Sequence, residues 1–148
     1  MGHAASQAAP DVGHQTETFG TWDLELVPDG RGATARPDPS CPVEVALRAV
    51  SGRWTTLLLR ELMDRPLGFT DLRDRLPALS AKVLADRLRE LQGQGLVVLR
   101  RHRGFPVRSE YALTEAGRAL RPLLVTLYTT GDALLRIAEH NGRTLRHQ

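Results

Sequence analysis

The sequence predicts a mainly α fold carrying one small β-hairpin, an α+β arrangement. Three observations carry that expectation. Apolar residues recur at helical spacing through most of residues 41–142, two short alternating segments flank a loop containing Gly104 and Pro106, and residues 1–40 show no helical period. The 148 residues suit one domain, able to bury roughly two-thirds of its unfolded surface without metals or disulfides. The chain therefore divides into an acidic extension, 1–40, a helical domain, 41–142, and a short tail, 143–148.

The extension is rich in Gly, Ala, Pro, Asp and Ser and ends in a linker-like ATARPDPS. It is expected to be partly disordered or to contribute a short strand: Trp22, Leu24 and Leu26 alternate with Asp23 and Glu25 before a Pro28-Asp29-Gly30 turn. From Cys41 the pattern is helical. Pro42 suits the first position of a helix that continues through Val45, Ala46, Ala49 and Val50 and ends at Ser51-Gly52. The segment RWTTLLLRELM, residues 53–63, is apolar on most sides and is expected to be the central buried helix. After the break at residues 65–68, Thr70 is a candidate N-cap for a helix over 71–76 that Pro77 stops. Ser80 is a candidate N-cap for the next helix, 81–92, whose Leu84, Leu88 and Leu91 fall on one face. Gly93 and Gly95 are expected to end it.

Residues 96–101 and 107–113 read as the strands of a hairpin, with Val107, Ser109, Tyr111 and Leu113 inward and Arg108 and Glu110 outward. Thr114 is a candidate cap for a last helical region that reaches about His140, where Asn141-Gly142 is expected to stop it; Pro122 should kink or divide it near its start.

Two short helices joined by a brief turn and followed by a basic hairpin make a winged helix-turn-helix, whose second helix enters the DNA major groove. With the three leucines buried, 100° per residue places Lys82, Asp86 and Arg89 outward, with Ala81 and Ala85 beside them and Ser80 at the helix start. Lys82 can donate to guanine or phosphate and Asp86 can accept from cytosine N4. The two alanines allow close approach to a thymine methyl, and Arg87 and Arg89 suit phosphate. On the hairpin, Arg100, Arg101, His102, Arg103 and Arg108 concentrate positive charge, which phosphate or a narrow minor groove would neutralise. Two plainer readings stand beside these: a solvated helix face, and an edge hairpin charged against aggregation.

The charge balance agrees with a polyanionic partner. Residues 1–40 hold six acids and two arginines, a charge of −4, and the eighteen basic and eleven acidic residues after them give +7, for the net +3 of the chain. No stretch approaches the ~18 apolar residues of a membrane span, and no secretory signal is evident, so a cytoplasmic protein with no membrane partner is expected. The five histidines show no metal-ligand spacing, and phosphate loops, nucleophile elbows and paired acids are absent from the sequence. Neither enzyme activity, a cofactor nor a metal is expected. The single cysteine, Cys41, is either a small buried N-cap residue or a reactive thiol favoured by the helix N-terminus and opposed by Glu44. Leu120, Leu123, Leu124, Leu127, Leu134 and Leu135, with Ile137 and Ala138, form an apolar surface broader than one stripe, which predicts a homodimer interface on the last helical region.

The segments CPVEVALRAVSGRWTTLLLREL, GFTDLR, LSAKVLADRLRELQGQGLV and FPVRSEYALTEAGRAL follow one another from Cys41 to about Gly131. In that order and spacing they resemble the HxlR-type winged-helix transcription regulators, relatives of the MarR group. The resemblance implies a homodimeric bacterial regulator, commonly a repressor, that binds a roughly palindromic operator in double-stranded DNA. In several members the cysteine matching Cys41 senses oxidants or electrophiles. The forty-residue extension is longer than the family pattern. Ala85 and Asp86 stand where larger neutral polar residues are frequent, so the operator sequence does not carry over. Two other readings stay open: a winged-helix module that docks an acidic protein, and a regulator induced by a small-molecule effector instead of thiol chemistry. A protein-docking version should expose apolar anchors on residues 81–92, where this sequence has Lys, Ala, Asp and Arg.

Overall fold

The computed structural model describes residues 23–144. Among them the order is α1 (Pro42–Val50), α2 (Thr55–Asp64), α3 (Phe69–Arg75), α4 (Ala81–Gly93), β1 (Val97–His102), β2 (Arg108–Leu113), α5 (Glu115–Ala119) and α6 (Arg121–Thr144). This is a winged helix-turn-helix with α3 and α4 as the helix pair and β1–β2 as the wing. Its core is almost wholly leucine. Leu58, Leu59 and Leu62 of α2 meet Leu72 of α3, Leu84, Leu88 and Leu91 of α4, and Leu96, Val97 and Leu113 at the base of the wing.

Local chemistry explains the element boundaries. Pro42 opens α1, and Gly52 takes φ +95°, a left-handed turn that favours glycine. Trp54 then adopts φ +76° as the residue before α2, so that helix begins at Thr55, and the Arg53 guanidinium lies 5.8 Å from the Trp54 ring centroid. Helix α2 contributes three leucines to the core, as expected of the central buried helix, but it is fully buried along one face only. Thr55, Leu58, Leu59 and Leu62 are buried, while Leu57 and Met63 are half-buried and Thr56 and Arg60 are exposed.

Helix α3 begins at Phe69, not after Thr70. Its N-cap is Gly68, whose N–H donates to Asp71 Oδ2 at 3.3 Å, so the carboxylate at the third helical position fixes the start. Glu61 of α2 accepts from Arg60 and, at 3.0 Å, from Arg75 of α3. The Arg60 hydrogen bond, helped by Arg75 and opposed by partial burial, holds the Glu61 carboxyl below the usual range. Ser80 caps α4 as expected, accepting from Val83 N at 3.2 Å. Gly93 lies within α4, and the left-handed residue that ends it is Gly95, φ +71°.

The wing registers Val97 opposite Leu113 and His102 opposite Arg108, leaving residues 103–107 as the loop. Val107 is therefore a loop residue, and His102 belongs to a strand. Of the four residues expected to face inward, only Leu113 is buried and Tyr111 half-buried; Val107 and Ser109 are exposed because the ribbon extends past the core. Leu67, read from sequence only as part of a break, exchanges two backbone hydrogen bonds with Tyr111, at 3.0 and 2.8 Å, and ties the start of the helix pair to β2.

The segment before α1 lacks the expected strand in its described part. Asp23 Oδ1 accepts from Glu25 N at 2.9 Å and bends residues 23–26 into a turn, with Leu24 and Leu26 both exposed; Trp22 lies outside the described residues. At the other end, the helical region divides at Leu120 and Pro122 sits in the first turn of α6, as expected. Helix α6 runs through Asn141 and Gly142 to Thr144 without stopping, since each costs only about 1 kcal/mol or less in a helix and no proline follows.

One knot joins the wing to α5. Thr114 Oγ1 donates to Gly95 O at 2.6 Å and accepts from Gly117 N at 3.1 Å, while Thr114 N donates to Leu96 O at 3.0 Å. Gly117 is buried so tightly that a Cβ there would lie 2.2 Å from Leu96 O, a backbone atom that has no room to yield. Gly117→Ala is accordingly expected to destabilise the fold by about 3 kcal/mol and to lower Tm by roughly 10 °C. Thermal unfolding followed by circular dichroism checks this; an unchanged Tm would show that α5 is not held against β1.

Candidate nucleic-acid interface

Burial of Leu84, Leu88 and Leu91 turns the opposite side of α4 to solvent. Lys82, with a side chain 88% exposed, Asp86 and Arg89 lie there in a row. Lys82 Nζ donates to Asp86 Oδ2 at 3.1 Å and Arg89 Nη1 donates to Oδ1 at 3.0 Å. These two hydrogen bonds, the lysine's first, hold the Asp86 carboxyl below its ordinary range, so it stays ionised well into acid. The row is a cation, an anion and a cation, with its donors held ready along the helix. Ala81 is exposed and Ala85 half-buried beside it, so the first turn presents little bulk. The Ser80 hydroxyl accepts from Val83 N in the cap and keeps its own proton to donate.

Arg87 stands apart from the row. Its side chain is 28% exposed and pairs with Glu90 on its own helix. Its Nη1 packs on the turn between α1 and α2, where a Cβ on Gly52 would come within 2.7 Å. The structure thus gives Arg87 a place between α4 and the end of α1, away from the outward face. The helical angle already placed it near Leu91, a signal in the sequence that its charge obscured.

The wing separates its charge by face. Arg100, His102 and Arg108 share one face with Glu110, whose Oε2 lies 2.9 Å from His102 Nε2. Arg101 lies on the other face, beyond the core, and Arg103 begins the loop. Among the described residues, no carboxylate pairs with Arg100, Arg101, Arg103 or Arg108. At the tip, Phe105 is fully exposed and Val107 largely so. In this loop the sequence points to Arg103 for its charge and to Gly104 and Pro106 for the turn; Phe105 is a further candidate that its place in the loop made visible.

Of the expected interface leucines, Leu120, Leu123 and Leu124 are half-buried, the first and last against their own core. Leu127, Leu134 and Leu135 are exposed, as are Val125, Tyr128 and Ile137. On α1, Val43, Val45 and Leu47 are exposed too. A groove of about 580 Å³ runs between α2 and α6, lined by Leu57, Met63, Leu124, Leu127 and Tyr128 with Arg60 and Arg121 among its polar residues. Cys41 is the N-cap residue of α1, as expected, and is only 6% exposed; its N–H donates to Asp38 O and its carbonyl accepts from Val45 N. Among the described residues, no helix is long and apolar enough to cross a membrane.

The chain as a whole is similar to known proteins. Residues 49–139 match the HxlR-like helix-turn-helix family. An uncharacterized HTH-type transcriptional regulator of Methanothermobacter thermautotrophicus is 35% identical over 102 residues, 69% of this chain and 78% of its own. Among solved structures, the redox regulator HypR in its reduced form is similar with a TM-score of 0.61 at 30% identity, covering 67% of this chain and 98% of that one. The reduced form of the transcriptional regulator YodB from B. subtilis gives 0.59 at 34% identity, covering 62% and 91%. The chain belongs to the HxlR-like helix-turn-helix family of transcriptional regulators.

Proposed function

We propose that the protein is a sequence-specific DNA-binding repressor that acts as a homodimer on a palindromic operator, with α4 in the major groove and the wing on the flanking backbone. The observation that carries this reading is the pairing of two surfaces close in the chain: the Lys82–Asp86–Arg89 row, and a wing whose arginines have no carboxylate partner among the described residues. Four unpaired guanidinium groups on one ribbon repel each other in the free protein, and phosphate neutralisation offsets that cost. An acidic-protein dock is disfavoured, because the outward face of α4 offers no large apolar anchor.

Dimerisation follows from α6. Leu124, Leu127, Leu134 and Leu135 lie along one side of a helix about 36 Å long. Its first part packs on the subunit's own core, and its later part continues apolar with no cover. A second copy supplies the cover, with the exposed side of α1 as companion, and two α4 helices related by a two-fold axis then read half-sites about one helical turn apart.

Cys41 is the proposed input. A peroxide oxidises its sulfur to a sulfenic acid and is itself reduced; condensation with a small thiol then releases water and leaves a mixed disulfide. At 6% exposure the thiol is covered by its neighbours, so an adduct there displaces them and shifts the start of α1. The other end of α1 leads into Gly52, which touches Arg87 of α4, a contiguous route from the thiol to the reading helix.

Quantitative binding to duplexes selected from random DNA tests the DNA reading. Affinity should fall steeply with salt. Arg101→Ala and Arg103→Ala should each weaken all sequences alike and lower the salt slope by roughly 0.9, whereas Lys82→Ala should relax discrimination at one base pair by ~1–3 kcal/mol. Binding insensitive to salt and to all three changes would contradict it. For the input, diamide with a small thiol should release the DNA and add one thiol-sized mass to Cys41, and Cys41→Ser should remain bound. Equal release from Cys41→Ser would transfer the input to an effector in the groove between α2 and α6.

A further inference from the structure

We infer that the wing inserts Phe105 as an apolar wedge into the minor groove beside each half-site, unstacking one base step and bending the duplex. This rests on the DNA-binding reading above and adds to it a second mode of sequence selection. The loop 103–107 places a fully exposed phenyl ring at its tip, next to Pro106 and an exposed Val107, with Arg103 and Arg108 at its two ends. Among the described residues the phenyl ring packs on no core residue and caps no helix, so it gains nothing there, and burying it would be favourable. Its setting specifies the chemistry of the cover. An apolar tip bracketed by guanidinium groups suits a partner with a polyanionic rim and an apolar interior, and the DNA minor groove has both, phosphates at its edges and stacked bases beneath.

Position in the fold agrees. Only Gln94, Gly95 and Leu96 separate α4 from β1, so a wing that accompanies α4 on DNA falls on the groove next to the one α4 reads. The base of the ribbon is fixed by the Thr114 hydrogen bonds and by Leu67, which lets the tip bear a load without the ribbon folding back. Wedge insertion is cheapest at pyrimidine–purine steps, which unstack readily. The protein therefore selects such a step outside the bases that α4 touches, and Phe105 is the residue that determines that preference.

The test uses the full chain and a duplex that the wild-type protein selects from a random pool, with 2-aminopurine replacing successive adenines on either side of the half-sites. Wild-type binding should raise the fluorescence severalfold at one step per wing, and donor–acceptor dyes on the duplex ends should approach each other. Phe105→Ala should abolish both signals and weaken binding roughly tenfold, with the salt slope unchanged because no phosphate contact is lost. Phe105→Leu, which retains an apolar wedge, should restore most of each signal. Salt-steep binding by the wild type with no fluorescence rise at any step, or a rise that persists in Phe105→Ala, overturns the wedge and leaves the DNA reading standing. A sedimentation shift in Phe105→Ala without DNA, showing that the ring covers a protein surface, overturns it as well. Failure of the wild type to select any duplex overturns both.

Discussion

Burial of Leu84, Leu88 and Leu91 is the constraint on which the rest depends, because it fixes the rotation of α4 about its own axis. A rotation of 100° would carry Lys82 and Arg89 off the outward face and expose leucine in their place. Each buried leucine contributes on the order of 2 kcal/mol, so the three together make any other phase inaccessible at room temperature. What the solvent sees of α4 is thus decided by what the core takes. Asp86 adds a local constraint by holding Lys82 and Arg89 in one row through hydrogen bonds to both of its oxygens. Those bonds lie at the surface, and they orient the donors more than they stabilise the helix.

The wing depends on the same core at second hand. Leu96, Val97 and Leu113 anchor its base, and Thr114, Gly95 and Gly117 join its two ends to α5. Beyond Tyr111 the ribbon runs out past the core, with Gly68 still beside Ser109, and the charged and aromatic residues lie in that exposed part. Division of labour is visible along twelve residues of strand: an apolar half that belongs to the fold and a basic half that repels itself. The first half makes the second tolerable. Helix α6 repeats the pattern, with Leu124 on the subunit's own core and Leu134, Leu135 and Ile137 left for another surface.

Much of this was legible in the residues. Leucines at i, i+4 and i+7 gave α4 and its buried face, Ser80 and Thr114 marked helix starts, and the cluster of arginines marked the wing. Illegible features depended on contacts between segments far apart. No local pattern announces that Leu67 bonds to Tyr111, that Arg75 reaches Glu61, or that Arg87 rests on Gly52. Boundary errors had local causes of comparable strength. Asp71 outcompeted Thr70 as the group that fixes the start of α3, and Asp23 turned an alternating segment into a bend. Val107 was misplaced because alternation predicts a face but cannot say where the core beneath it ends.

The central claim is that the outward face of α4 and the wing tip meet one duplex together, in adjacent grooves. Tethered-radical cleavage measures this directly. An iron chelate is attached through Lys82→Cys or Arg103→Cys, each in a Cys41→Ser background, and the protein is bound to its selected duplex. The account predicts cuts within the half-site from position 82, with the offset between strands that marks the major groove. From position 103 it predicts cuts a few base pairs outward, with the opposite offset of the minor groove, both repeated about the two-fold centre. Cuts from only one position, or cuts from both in the same groove, would contradict it.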